Sequence, residues 1–234
     1  MPPASRSATN NSKRSTLVTS PYFKNEKSNS VKVKSKVHIK TTTFQVKANS
    51  DSNTVLPPVP DILDYDLRVL FVGINGGVTS SKRGHHFASP TNHFWPCLSA
   101  SGLVDRKVTF EDDVLLPKSY GLGFTNLTPK VSRRATDLTV AEQLDNVPQL
   151  TEKIKEYRPK WVVFIGMGMY QIYSGRKKVG VGLQAETIPW KVETGRSNIF
   201  VMPSTSGLVA AYHKKDKIKY FIELAKLVRL DHSV

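Results

Sequence analysis

Cysteine is almost missing from this chain of 234 residues, which holds only Cys97. No disulfide can form within it and no cysteine-rich zinc site can be built, and a reducing compartment suits such a composition. Acidic side chains are also scarce: 19 Asp and Glu face 34 Lys and Arg, a net charge of +15. They form no acidic cluster with the spacing of a metal site, and the histidines are scattered apart from the pair His85-His86, so no metal and no other cofactor is expected. Long apolar runs are missing too. None approaches the length that spans a bilayer and the N-terminus has no secretory hydrophobic stretch, so a soluble, intracellular protein with no membrane role is expected. No internal repeat is visible. The excess of positive charge points to a polyanionic partner, nucleic acid before acidic membrane.

The charge is unevenly spread. Residues 1–60 are dominated by Ser, Thr, Asn, Lys and Pro and carry ten basic residues against Glu26 and Asp51, a net of +8 that leaves +7 for residues 61–234. With few large apolar side chains to offset the entropy of ordering, residues 1–60 read as a disordered basic tail. Such a tail is either a solvated linker or a salt-sensitive contact to DNA phosphates. A basic, acid-poor, Ser-rich N-terminus also fits an organellar transit peptide, which keeps a mitochondrial form open. Residues 61–234 are long enough for one α/β domain.

Leu67–Leu103 organise that domain. The β-branched run Val69–Ile74 reads as a buried strand that stops at Asn75-Gly76-Gly77, where extended structure gives way to a turn. Polar and basic residues follow, then His85-His86-Phe87, and a helix at about 92–102 closed by Gly102. Tyr120–Leu127 is a second strand ending at Asn126. Thr139 with Glu142 forms a capping box for a helix whose buried stripe is Leu144, Val147, Leu150, Ile154 and Tyr157, with Pro148 as the point of a kink. Trp161–Gly166 is a third, doubly covered strand. A short helix at Met169–Tyr173, an outer strand or loop at Glu186–Val192 and a last core strand, Asn198–Met202, lead to Pro203-Ser204-Thr205-Ser206-Gly207-Leu208. A final helix, about 214–229, places Ile218, Phe221, Ile222, Ala225 and Val228 on one face. Strands alternating with helices predict a mainly parallel sheet covered on both sides, with Asn75, Asn126 and Pro203–Leu208 sharing the edge where ligands gather. A dinucleotide-binding domain is disfavoured, because the glycines after the first strand lack the required spacing and no acidic residue closes the second strand.

Three blocks then carry a resemblance: FVGINGGVTSSKRGHHFASPTNHFWPCLSASGL, GLGFTNLTPKVSRRATDLTVAE and VMPSTSGLVAAYHKKDKIKYFIELAKL. In this order they resemble the mismatch-specific uracil and thymine DNA glycosylases of the uracil-DNA glycosylase superfamily, over roughly residues 66–229. The resemblance implies a three-layer α/β/α sandwich and hydrolysis of the bond between a mispaired or damaged pyrimidine and its deoxyribose. The partner is then double-stranded DNA with G:U or G:T mismatches, bound by a monomer that hands its product to downstream repair proteins. A DNA substrate and a basic tail place it in the nucleus.

The resemblance also assigns roles. Asn75 is the catalytic carboxamide that orients water; a neutral amide can accept a hydrogen bond from water but is no strong base. Ile74, Gly77, Ser80, His86, Phe87 and Asn126 are the base-binding set, with Phe87 as the stacking ring and the N–H groups around Gly77 and Phe87 receiving charge on the departing base. His86 can serve a phosphate, the base edge or the core. Gly207 and Leu208 form the wedge that fills the vacated stack. Lys82, Arg83, Ser204, Ser206 and Lys214 are further DNA contacts, with Arg133, Arg134 and Lys215 as candidate phosphate ligands. One departure stands out: the family's usual Asn-Pro-Gly turn is Asn75-Gly76-Gly77 here, and glycine is the more permissive residue. That leaves open a slower enzyme, a broader one, or a lesion-binding protein of the same fold with weakened catalysis. The Ser80 hydroxyl is expected to crowd a thymine methyl and so to favour uracil.

Overall fold

A computed structural model describes residues 56–192, 194–209 and 211–231. The tail reading falls, except for 56–60, on residues outside those described. Five strands form one sheet in the order β2-β1-β3-β5-β4: β1 (Val69–Gly73), β2 (Leu122–Asn126), β3 (Trp161–Ile165), β4 (Gly182–Pro189) and β5 (Arg196–Met202). The first three and β5 run parallel; β4 is an antiparallel edge with an irregularity between Leu183 and Thr187.

Every residue of β1 and β3 is buried, as a strand covered on both faces requires. Alternate side chains enter opposite cores. Val69, Phe71, Phe124 and Val163 meet Phe94, Leu98, Phe221, Leu224 and Val228 from α2 (Phe94–Ser101) and α7 (Lys214–Leu230). Leu70, Val72, Val162 and Phe164 meet Leu150 and Ile154 of α5 (Val147–Tyr157) and Met169 and Tyr170 of α6 (Met167–Ser174). The result is the expected three-layer α/β/α sandwich. Among the described residues no helix is long and apolar enough to cross a membrane.

Several local expectations need correcting. The helix with a kink at Pro148 is two helices, α4 (Val140–Leu144), capped by Thr139 and Glu142, and α5, which has the proline in its first turn. Proline has no N–H to lose there, so it opens a helix rather than bending one. Leu144 is consequently exposed rather than part of a buried stripe. On α7 the buried face is Lys217, Phe221, Leu224, Ala225 and Val228, and Ile222 lies outside it. The polar run after Gly77 forms a short helix, α1 (Val78–Arg83), and a 3-10 turn at Phe110–Leu115 leads into α3 (Leu116–Tyr120).

Candidate active site

The carboxyl ends of β1, β2 and β5 open onto one cavity of about 850 Å³. Asn75, Gly77, Phe87, Asn126, Arg133, Ser204, Ser206 and Leu208 all line it, so the three polar strand ends do share an edge. Ile74, Ser80, His86, Arg134 and Gly207 line it as well, whereas Lys82, Arg83 and Lys214 lie outside.

Asn75 is held by its amide hydrogens. Nδ2 donates to the Lys130 carbonyl at 3.0 Å and to Ser132 Oγ at 2.8 Å, and that hydroxyl donates on to the Arg134 carbonyl at 2.7 Å. Two acceptors at Nδ2 fix which end of the amide is nitrogen, and they leave Oδ1 as the acceptor available at the cavity. Asn126 is the opposite case: among the described residues nothing hydrogen-bonds its amide, and its Oδ1 lies 2.6 Å from where a side chain on Gly73 would begin. Gly73 must therefore stay small for Asn126 to keep its place.

Phe87 takes a left-handed backbone, with φ at 52°, a conformation that costs a non-glycine residue about 1–2 kcal/mol. The surroundings over-determine it. Ser80 Oγ accepts from Ala88 N–H at 3.0 Å, and the fully buried Asp113 accepts from His86 N–H at 2.9 Å and pairs with His85 Nδ1 at 2.8 Å. Trp95 Nε1 donates to the His86 carbonyl at 3.0 Å, and Arg83 donates to the Ala88 carbonyl at 2.9 Å. The Phe87 ring stacks on Phe94, with centroids 4.2 Å apart, so one face is covered by protein. His86 is buried, its Nε2 is 2.8 Å from the Pro60 carbonyl, and burial holds its pKa below the ordinary 6.5. It is thus a neutral ring donating from Nε2, not a phosphate-binding cation.

The β5 loop is built differently. Ser204 Oγ accepts from Ser206 N–H and Ser206 Oγ from Leu208 N–H, two successive serine turns that lift Leu208 to 74% exposure. Gly207 rests on Thr91, whose carbonyl oxygen would lie 2.5 Å from any Cβ there. From behind, Lys217 at 1% exposure brings Nζ to 3.3 Å from the Ser206 carbonyl and 3.4 Å from His93 Nδ1, while His93 N–H donates to the Thr205 carbonyl at 2.9 Å. Burial pushes the Lys217 ammonium below its ordinary range and, with the nearby lysines 217 and 214, does the same to His93. Lys217 and Asp113 escaped the sequence reading. Lys217 follows the spacing of Phe221, Leu224 and Val228, but its charge hides it among the solvated residues of the helix; nothing distinguishes Asp113 from Glu111 and Asp112 beside it. Among the described residues no group of three or more His, Cys, Asp or Glu side chains is placed to share a metal ion.

Fold and site together define an α/β protein with an open cavity at the strand ends, a fixed carboxamide inside it and an exposed leucine at its rim. The chain belongs to the uracil DNA glycosylase superfamily, whose sequence pattern matches residues 60–227. It is 37% identical over 190 residues to a G/U mismatch-specific uracil DNA glycosylase of Schizosaccharomyces pombe, an alignment covering 78% of this chain and 57% of that protein. The chain thus spans little more than half the length of that relative. A Methanosarcina acetivorans protein solved by NMR is similar at 19% identity with a TM-score of 0.47, covering 73% of this chain and 98% of the other.

Proposed function

We propose that the protein hydrolyses the N-glycosidic bond of uracil paired with guanine in duplex DNA. The observation that carries this reading is the Asn75 amide, whose two hydrogens are fixed on Lys130 and Ser132 so that its oxygen is the acceptor left for water. The target nucleotide swings out of the duplex into the cavity, and Leu208, already exposed at the rim, takes its place in the stack. Asn126, whose amide has no hydrogen-bond partner among the described residues, meets the base edge, and Phe87 offers its ring. As the bond between sugar C1′ and the base nitrogen breaks, the electron pair leaves with the pyrimidine. Backbone N–H groups around Gly77 and Phe87 receive the growing negative charge, and Gly77 leaves open space there, since a Cβ on it would meet nothing within 4 Å. The water held by Asn75 adds to the oxocarbenium-like carbon and loses a proton; the departing base gains one. Arg133 and Arg134, exposed at the rim, meet phosphates.

Ser80 lines the cavity with its hydroxyl tied to the Ala88 N–H, so it cannot swing aside easily for a C5 methyl. Uracil is therefore preferred over thymine. The protein acts as a monomer in the nucleus, ahead of other repair enzymes. A duplex holding uracil opposite guanine, incubated with protein and then treated with alkali, should be cut at the uracil, and thymine in the same place should be cut more slowly. An uncut uracil strand, with the duplex still bound, would favour a lesion-binding protein instead.

A further inference from the structure

Residues 57–62 cross behind the turn that carries Asn75, and the crossing is fastened along its length. The Ser81 hydroxyl donates to the Pro57 carbonyl at 2.5 Å, His86 Nε2 meets the Pro60 carbonyl at 2.8 Å, and Ile62 exchanges both backbone hydrogen bonds with Phe124 at 2.8 Å. The Asp61 carboxylate accepts from Thr125 Oγ1 at 2.6 Å and pairs with Lys153. Composition assigned 56–60 to the tail, yet Val59 is only 6% exposed and lines the cavity.

Val59 stands directly against Gly76. A Cβ at position 76 would lie 2.7 Å from Val59 Cγ2, a distance real side chains do not tolerate. Gly76 has no left-handed φ, so what demands glycine is want of room, not backbone torsion. The next residue faces the other way, since a Cβ on Gly77 would meet only open cavity. The turn therefore has protein pressed on its back and empty space in front.

We infer that Val59 is a positioning residue for the hydrolytic turn. Filling the space behind Gly76, it keeps Asn75 forward, so that the carboxamide oxygen stays in line with the sugar carbon. This rests on the glycosylase reading above. Without the two Val59 methyls the turn recoils into the void, and a displacement near 1 Å is enough to slow a positioned reaction by about 10²-fold. Binding of DNA through the Leu208 loop and the arginine rim is left as it was. Residues 59 and 76 also compensate for one another. With alanine at both, the nearest atoms left to the new methyl are the residue 59 Cβ at 3.5 Å and its nitrogen at 3.6 Å, which is ordinary contact.

The test is a cycle of Val59→Ala, Gly76→Ala and the double variant in the full chain, on duplex with uracil opposite guanine. Single-turnover excision is measured beside affinity for the same duplex carrying a 2′-fluorinated, non-hydrolysable deoxyuridine. Each single variant should lose about 10- to 100-fold in rate while affinity stays within about 3-fold, and the double should return to within about 3-fold of the parental rate. Amide exchange at residues 75–77 should rise in Val59→Ala and fall again in the double. The inference is overturned by a Val59→Ala protein at the parental rate, by losses that multiply in the double, or by rate losses matched by equal losses of affinity. If the parental protein leaves uracil in place, the glycosylase reading fails and takes this inference with it; an active parental protein with independent losses sinks the inference alone.

Discussion

Two loops at the same sheet edge are built to opposite rules. After β1, the turn at Asn75–Gly77 is enclosed: its amide is bonded to Lys130 and Ser132, Val59 presses on its back, and the neighbouring 84–88 segment is pinned from Ser80, Asp113 and Trp95. After β5, the loop Ser204–Val209 is held from beneath by Lys217, His93 and Thr91, and lifts Leu208 and Val209 into solvent at 74% and 41% exposure. The first is fixed from behind and through its side chain, and keeps open space in front. The second leaves its apolar tip uncovered, as a surface open to a partner does.

The sharpest way to test this contrast is to remove the fixed amide. Asn75→Ala should leave affinity for the 2′-fluorinated uracil duplex near parental and lower single-turnover excision by about 10³-fold, because only the aim of the water is lost. A variant that excises at the parental rate would put the hydrolytic group elsewhere. The exposed loop should fail in the reverse manner. Leu208→Ala removes an apolar side chain worth about 1.5–3 kcal/mol on burial, so affinity for the mismatch should fall by roughly 10- to 100-fold, with a smaller loss of rate at saturating protein.

Lys217 sharpens the comparison further, because it is buried and meets the Ser206 carbonyl from beneath the loop. Lys217→Met removes the donor to the Ser206 carbonyl while keeping an unbranched side chain at the buried site. Mismatch affinity should fall by about 3- to 10-fold, and this loss should vanish in a Leu208→Ala background, since groups acting through one another are not additive. Equal losses in both backgrounds would mean that Lys217 serves the fold in general, as a lowered Tm in proportion would also show.

Much of this division was already legible in the sequence. A β-branched run stopped by Asn75-Gly76-Gly77, and another stopped by Pro203 to Leu208, announce strand ends with chemistry beyond them, and the parallel sheet does bring both to one cavity. The supports were not legible. Val59 is one apolar residue among prolines, a pattern that reads as linker, and its value lies in a contact with Gly76 that no local pattern encodes. Lys217 occupies an apolar stripe but is charged, so periodicity alone counts it among the solvated residues of α7. Asp113 gains its role only when residues about 27 positions earlier fold back onto it.

The smallest effect concerns protons, and it too separates the two loops. His86 on the enclosed side and His93 beneath the exposed loop both have pKa values held below the ordinary 6.5, each chiefly by burial. Below about 6.5 the unfolded chain takes up protons that the folded chain refuses, so more protons are bound on unfolding and stability falls as pH falls. The loss starts at the unfolded value and continues down to the lowered folded one; above it the two states carry the same charge. A melting series from pH 8 to pH 5 should therefore be flat at first and then decline. His86→Gln, whose amide can still donate to the Pro60 carbonyl, should flatten part of that decline, by roughly 2–4 °C at pH 5 for each kcal/mol of linkage removed. His93→Gln should flatten it less, because His86 is fully enclosed and His93 only half-buried. Equal flattening by the two variants would mean that the 84–88 segment is no more tightly closed than the loop it faces.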